Sequence, residues 1–288
     1  MATEAPQTQS GKEREKWLPR HSLFLSFSVA AAPLWHFVER ELKEALVVMA
    51  KAPREGKVKT RLLGALSPEE VRRLYVAFLS DTFALMEDVK EEREDLTLAL
   101  CYTPEGEEEA FEEVEREGSL MIPQRGENLG ERLINCFADL FALGFESVAV
   151  IGADSPTLPG DYVFDAFECF ETDDDVVIGP AEDGGYYLVG MRKLHERIFE
   201  DIPWGGAGVM EATMDRAREA ELNLVLLPEW YDVDAPEDFE RLKHELGENG
   251  EAAKFSRSFL KELAKGRRQN ENRQDLQDFS GFDPMRKS

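Results

Sequence analysis

The sequence predicts an α/β protein with a mainly parallel sheet, and two observations carry that prediction. Short apolar runs without polar alternation, Ala45 to Met49 (ALVVM) and Ser147 to Gly152 (SVAVIG), read as strands buried on both faces. Between such runs lie longer segments with apolar residues at helical spacing, and alternating strand and helix is the pattern of the crossover units that build parallel sheets. At 288 residues the chain is long enough for one large domain or two small ones. A core of that size buries roughly 70 to 75% of the unfolded surface without needing staples.

The first strand opens at Ala45, and the chain breaks into a loop at Pro53 and Gly56. Ser67-Pro68-Glu69-Glu70 is a capping-box start with proline at the first helical position, and Val71, Leu74, Tyr75, Phe78, Leu79 and Phe83 share one face, predicting a helix over 68–90. A strand at 96–102, a short acidic helix at 107–116 and a brief strand at 120–123 follow. Leu129, Leu133, Phe137 and Leu140 mark a helix over 128–143, with Gly144 as its terminating cap. The strand at 147–152 runs into Ala153-Asp154-Ser155-Pro156-Thr157-Leu158-Pro159. A helix at 161–170, strands at 175–179 and 186–191, and an irregular loop from Asp201 to Val209 containing Trp204 come next. A helix to Ala220, a strand at 222–227 and a helix at 236–246 close the domain, which we place at 45–246.

Residues 1–44 form an N-terminal extension whose first twenty residues are polar and expected to be disordered. Its apolar run, Leu23 to Leu34, follows Lys16, Arg20 and His21 and has the outline of a secretory signal, but it is shorter than the ~20 residues a spanning helix needs. The favoured reading is a non-native upstream start or a helix that packs on the domain and continues through Trp35 to Lys43. Residues 23–34 are where any membrane association would arise, and none is expected. Residues 247–288 read as a helical segment over 252–265 followed by a polar, disordered tail.

With 59 acids against 34 bases and a formal net charge of -25, the surface repels polyanions, so nucleic acid is not an expected partner. Cys101, Cys136 and Cys169 are far apart in apolar segments, which points to a reducing, cytoplasmic setting and away from a zinc site. Against this acidic background the bases Lys51, Arg54, Lys57, Lys59 and Arg61, directly after a strand, form a candidate phosphate site, because α/β sheets bind anions at the carboxyl ends of their strands. The loop is not a Walker loop, since Gly56-Lys57 is followed by Val58, and no Gly-x-Gly-x-x-Gly follows any predicted strand. Lys51, Pro53, Gly56, Lys57, Lys59, Thr60 and Arg61 are its candidate phosphate-binding residues.

Asp154, where a core strand leaves the sheet, and Asp232-Val233-Asp234, before a proline-started helix, read either as caps or as ligands of a hard cation. Both lie after strands of one sheet, so they can meet the basic loop in one crevice. In Gly179-Pro180-Ala181-Glu182-Asp183-Gly184-Gly185-Tyr186-Tyr187 the paired glycines allow a tight turn or close approach to a ligand, and Asp183 is a candidate base toward an acceptor hydroxyl.

Lys51 to Leu62, Gly126-Glu-Asn-Leu-Gly-Glu-Arg132, Gly152 to Pro159, Gly179 to Tyr186 and Asp232 to Asp238, taken together, resemble the GT-A-type nucleotide-diphospho-sugar transferase superfamily. They are most similar to its bacterial branch associated with arsenosugar biosynthesis, akin to the molybdenum-cofactor and 2-phospho-L-lactate guanylyltransferases. The resemblance implies a three-layer Rossmann-like (GT-A) sheet with helices on both faces, and a nucleotide held by the first loop. It also implies Mg²⁺ or Mn²⁺ at Asp154 with Asp234 as second ligand. Gly184, Gly185, Tyr186 and Trp204 would border the donor or acceptor. The family's usual Ser-Thr after the tryptophan is Gly205-Gly206 here, and Asn128 and Ala235 stand for the commoner Asp and Thr.

The leading expectation is a metal-dependent glycosyltransferase taking a nucleotide sugar and a small acceptor, with Asp154 and Asp183 as its catalytic carboxylates. A nucleotidyltransferase releasing pyrophosphate from a nucleoside triphosphate is the first alternative. A non-catalytic nucleotide-binding protein is the second.

Overall fold

A computed structural model describes residues 43–93, 95–114, 116–170, 175–248 and 252–280, which belong to a unit of the chain running from Glu41 to Ser288. The expectations for the N-terminal extension, including its apolar run at 23–34, and for the end of the tail at 281–288 lie outside the described residues.

The elements in order are β1 (Glu44–Lys51), α1 (Pro68–Glu92), β2 (Leu96–Thr103), β3 (Leu120–Pro123), α2 (Leu129–Ala142), β4 (Ser147–Gly152), α3 (Gly160–Cys169), β5 (Val176–Pro180), β6 (Tyr186–Met191), α4 (Val209–Glu219), β7 (Leu224–Leu226), α5 (Pro236–Glu248) and α6 (Lys254–Ser280). One seven-stranded sheet has the order β3-β2-β1-β4-β6-β5-β7. Every neighbouring pair is parallel except those made by β6, which runs antiparallel to both β4 and β5. The reversal follows from the link before β6: residues 181–185 suffice for a tight turn but not for a crossover helix.

Burial explains why the central strands are apolar between their ends. Along β1, Ala45 and Val47 face one cluster, with Leu133, Phe137 and Leu140 of α2 and Ala217 of α4. Leu46, Val48 and Ala50 face the other, with Leu79, Phe83 and Met86 of α1 and Val163, Ala166 and Phe167 of α3. Side chains alternate across a strand, so helices on both faces require the β1 positions from Ala45 to Ala50 to be apolar. The result is the three-layer, Rossmann-like GT-A architecture. A third cluster joins Leu74 and Phe78 of α1 to Phe239 and Leu242 of α5 and Phe259 of α6.

Local signals set the helix starts. Ser67 Oγ accepts from Glu70 N at 3.3 Å while the Glu70 carboxylate accepts from Ser67 N at 2.7 Å, closing the capping box. Asn128 accepts from Glu131 N at 3.0 Å, doing the work of the more usual aspartate. The short acidic helix expected at 107–116 is reduced to a 3₁₀ turn at Glu108–Phe111: it offers few apolar anchors, and its crowded carboxylates repel one another. The last helix starts at Lys254 and continues to Ser280, past the point at 265 where a disordered tail was expected. Apart from Gly266, the run beyond 265 consists largely of good helix formers, and a docked first turn removes the cost of nucleation.

That docking runs through one carboxylate. Ala253, with φ +48°, precedes α6 and has no side-chain acceptor to cap it. Asp81 of α1 accepts instead from Phe255 N and Ser256 N, both at 2.8 Å, and from Ser256 Oγ at 2.6 Å. Among the described residues no helix is long and apolar enough to cross a membrane. Asp81→Ala leaves three donors unsatisfied, the two of Ser256 being buried, and the expected loss is about 2–4 kcal/mol. Urea denaturation of the full chain measures it, and an unchanged midpoint would refute this role for Asp81.

Candidate functional site

The carboxyl ends of β1, β4, β5 and β7 lie on one side of the sheet, because these four strands share a direction. The segments leaving them are stitched together there. Val233 N donates to Asp154 O at 2.8 Å, Trp230 N to Pro180 O at 3.1 Å, and Glu182 N to Trp230 O at 2.9 Å. Ser155 Oγ donates to Asp232 Oδ1 at 2.9 Å. Arg241 of α5 grips Glu182 with two bonds of 2.6 and 2.9 Å and lies over the Tyr231 ring at 3.8 Å from its centroid. These bonds fix the acidic segments relative to each other before any ligand arrives.

A cavity of about 530 Å³ opens at this edge. Lys51, Lys57, Lys59, Thr60 and Arg61 line it together with Asp154, Asp234 and Tyr186, as do Tyr75, Gln124 and Arg132. Among the described residues Lys51, Lys57 and Arg61 have no ion-pair partner, and Arg132 donates only to Gly126 O, at 3.1 Å. Arg54, the remaining base of the loop, turns outward to pair with Glu107. Pro53 is buried away from the cavity, and Gly56, at φ +66° with open space beside it, serves a turn and not a close approach.

Lys59 is bound differently from its neighbours. Its Nζ lies 2.7 Å from Asp154 Oδ1 and 2.5 Å from Asp234 Oδ1, and its side chain is only 4% exposed. Burial alone would lower its pKa; the attraction and hydrogen bonds of the two carboxylates outweigh that and raise it, so Lys59 is charged. Its backbone is left-handed, with φ 43° and ψ 44°, a conformation a non-glycine residue holds only when its surroundings fix it. Asp232 sits behind this group; burial, and after it the charges of Asp154 and Asp183, outweigh the Ser155 bond and the Lys59 charge and push its pKa up to about 7.

The Asp238 carboxylate accepts from Asp234 N at 3.1 Å and Ala235 N at 2.7 Å. The first turn of α5 is therefore capped from within, and the Asp234 carboxylate faces the cavity. The Asp154 and Asp234 side chains are 45% and 41% exposed. Among the described residues no group of three or more His, Cys, Asp or Glu could hold a metal by itself. Two cavity-facing carboxylates fit Mg²⁺ or Mn²⁺ of the kind that arrives with phosphate oxygens completing its shell.

Asp183 occupies a smaller adjoining cavity of about 250 Å³, which shares Arg61 and Asp234 with the first. Its Oδ1 accepts from Gly185 N at 2.8 Å, fixing the turn. Gly184 is required by packing: its φ is +89°, and a Cβ there would lie 2.2 Å from Ala207 O. Trp204 does not line the large cavity; it stacks edge-on against Tyr186, with centroids 6.3 Å apart, and borders a separate recess with Asn128 and Glu131. Gly205 and Gly206 form the turn after it.

Sequence reasoning passed over three residues here. Gln124 directly follows β3 and donates its amide to Ala50 O at 3.2 Å and Cys101 O at 2.8 Å; its place after a strand end was the available signal. Tyr75, which reads as helix core, accepts from Lys51 N at 3.1 Å. Arg132 lies within a quoted motif and reaches the cavity through the helical spacing of α2.

A family model described as "Uncharacterized protein conserved in bacteria (DUF2064)" matches residues 87–206. That range contains Gln124, Arg132, Asp154, Asp183 and Trp204 but neither the basic loop nor Asp234. No curated protein matches the chain. Among solved structures, an inferred nucleotide-diphospho-sugar transferase from Desulfovibrio desulfuricans G20 is 30% identical, with 79% of this chain and 98% of that chain covered and a TM-score of 0.70. A cytidylyltransferase from Leptospira borgpetersenii is 13% identical over 79% of this chain and 96% of its own, with a TM-score of 0.47. A manganese complex of Rv0371C from Mycobacterium tuberculosis H37Rv is 14% identical over 69% and 97%, with a TM-score of 0.43. The last two are too distant to inform this chain.

Gly184→Ala is expected to lower stability by more than about 2 kcal/mol, since it adds both a strained φ and a clash with backbone. Thermal denaturation checks this, and a variant as stable as the wild type would show that the 203–208 loop can move away at no cost.

Proposed function

Because the chain belongs to the nucleotide-diphospho-sugar transferase superfamily, we propose that it moves a sugar from a nucleotide-diphosphate sugar to a small acceptor. The observation that carries this reading is one cavity in which Lys51, Lys57 and Arg61, without ion-pair partners among the described residues, stand with Arg132 beside the carboxylates of Asp154 and Asp234. In a chain of net charge -25, such a concentration of cations is a site for a small polyphosphate.

Mg²⁺ or Mn²⁺ held by Asp154 and Asp234 would supply a Lewis acid to the phosphate oxygens. The chain's own residues account for the other requirements. In glycosyl transfer the acceptor oxygen attacks the anomeric carbon, the bond from that carbon to the diphosphate oxygen breaks, and the nucleoside diphosphate leaves with the electron pair. Lys51, Lys57, Arg61 and Arg132 stabilise the charge that grows on that leaving group, where preorganised cations contribute most. Leu129, exposed at the cavity wall, offers an apolar surface for the base. Asp183, in the adjoining cavity, takes the proton of the acceptor hydroxyl.

One observation also favours the nucleotidyl-transfer reading: four basic side chains that have no acidic partner among the described residues would match the larger charge of a triphosphate. The products separate the two, a nucleoside diphosphate supporting sugar transfer and pyrophosphate supporting nucleotidyl transfer.

A thermal-shift screen of nucleotides and sugar nucleotides with Mn²⁺ is the first test. A ligand present at about 100 times its dissociation constant should stabilise the fold by about 2.7 kcal/mol. Lys57→Ala and Arg61→Ala are each expected to weaken that ligand about tenfold, the scale of one charged hydrogen bond. Asp154→Asn should abolish the dependence on Mn²⁺. A screen without a single stabilising nucleotide would refute the proposal.

A further inference from the structure

Resting on that reading of Asp154 and Asp234, we propose that Lys59 is an internal cation that keeps the metal position closed. On ligand entry the divalent ion replaces its ammonium group between the two carboxylates, and the freed ammonium passes to the phosphate.

Four observations support the exchange. Lys59 Nζ already lies 2.7 and 2.5 Å from the two Oδ1 atoms that would hold the ion. Those atoms cannot hold a metal in common while they share the ammonium. The ammonium is covered at 4% side-chain exposure, whereas both carboxylates are more than 40% exposed toward the cavity, so an arriving ion meets the acids first. Lys59 also differs from Lys51, Lys57 and Arg61, which line the same cavity and have no acidic partner among the described residues. Finally, its left-handed backbone at the start of the short 3₁₀ turn Thr60–Leu62 is a held conformation, of the kind found at switching positions.

Charge balance gives the device its logic. Without ligand, Asp154 and Asp234 would repel one another, and one ammonium offsets them. An anion alone meets cations of which Lys59 is engaged elsewhere, and a metal alone must expel a buried ammonium with nowhere to go. Metal and phosphate together satisfy every charge, because the ammonium released by the first is taken by the second. Entry of either partner therefore favours the other.

The test begins with Mn²⁺ alone, titrated into the full chain and followed by the electron-spin-resonance signal of the free ion. Wild type should bind weakly. Lys59→Met keeps the length of the side chain without its charge, and should bind Mn²⁺ about tenfold tighter or more, since the closed state no longer subtracts from affinity. Asp154→Asn added to Lys59→Met should cancel the gain, placing the extra ion on this pair. Equal or weaker Mn²⁺ binding by a folded Lys59→Met chain overturns the proposal.

A second measurement uses the wild type, so that it holds even where Lys59→Met does not fold. In ¹⁵N-lysine spectra the Lys59 ammonium resonance, assigned by its loss in Lys59→Arg, should stay in place with Mg²⁺ alone and shift when pyrophosphate is added. A resonance that does not move once both are bound overturns the exchange. Should sugar nucleotides give no thermal shift while Lys59→Met gains Mn²⁺ affinity, the proposed activity falls and the exchange stands; the opposite pattern removes the exchange alone.

Discussion

The contact on which the site depends is the buried ammonium of Lys59 between the carboxylates of Asp154 and Asp234. It joins the loop after β1, the strand end of β4 and the entry to α5, three segments distant in sequence. A buried charge is costly unless it is paired, and paired in this way it fixes the spacing of the acids that face the cavity. The surrounding bonds, from Val233 to Asp154 O, from Ser155 to Asp232 and from Arg241 to Glu182, hold the segments to which those acids belong.

The sheet explains why such a meeting is available. Four parallel strands deliver their carboxyl ends to one edge, and the reversed β6 adds the start of a strand and the tight turn before it. Asp183 therefore reaches the site on a hairpin pinned to Trp230 and to the 203–208 loop, while Lys57, Lys59 and Arg61 arrive on a longer loop between a strand and a helix.

Much of this was legible in the residues. Continuous apolar strands announced two covered faces, and Ser67-Pro68-Glu69-Glu70 marked its helix start to the residue. Placement after strand ends brought the basic loop, Asp154 and Asp234 to one crevice. What could not be read was which charge meets which. Sequence treats Lys59 as one base among five, and only three-dimensional packing shows it committed to two acids while Arg54 turns away. Gly184 read equally as a ligand approach or a turn, and its reason lies in Ala207, a neighbour no spacing reveals. The length of α6 was hidden because its polar composition resembles a tail, whereas its first turn is held by Asp81, far away in sequence.

That last bond has a counterpart at the site. Asp81 and Phe255 are 174 residues apart, and Lys59 and Asp234 are 175 apart. On the ribosome, the strands β1 to β6 can assemble well before either pair exists. During that interval Asp81 lacks its donors and Lys59 lacks its second acid. The nascent chain would thus carry a nearly complete sheet with its anion-binding edge open until Asp234 and then Phe255 had been made.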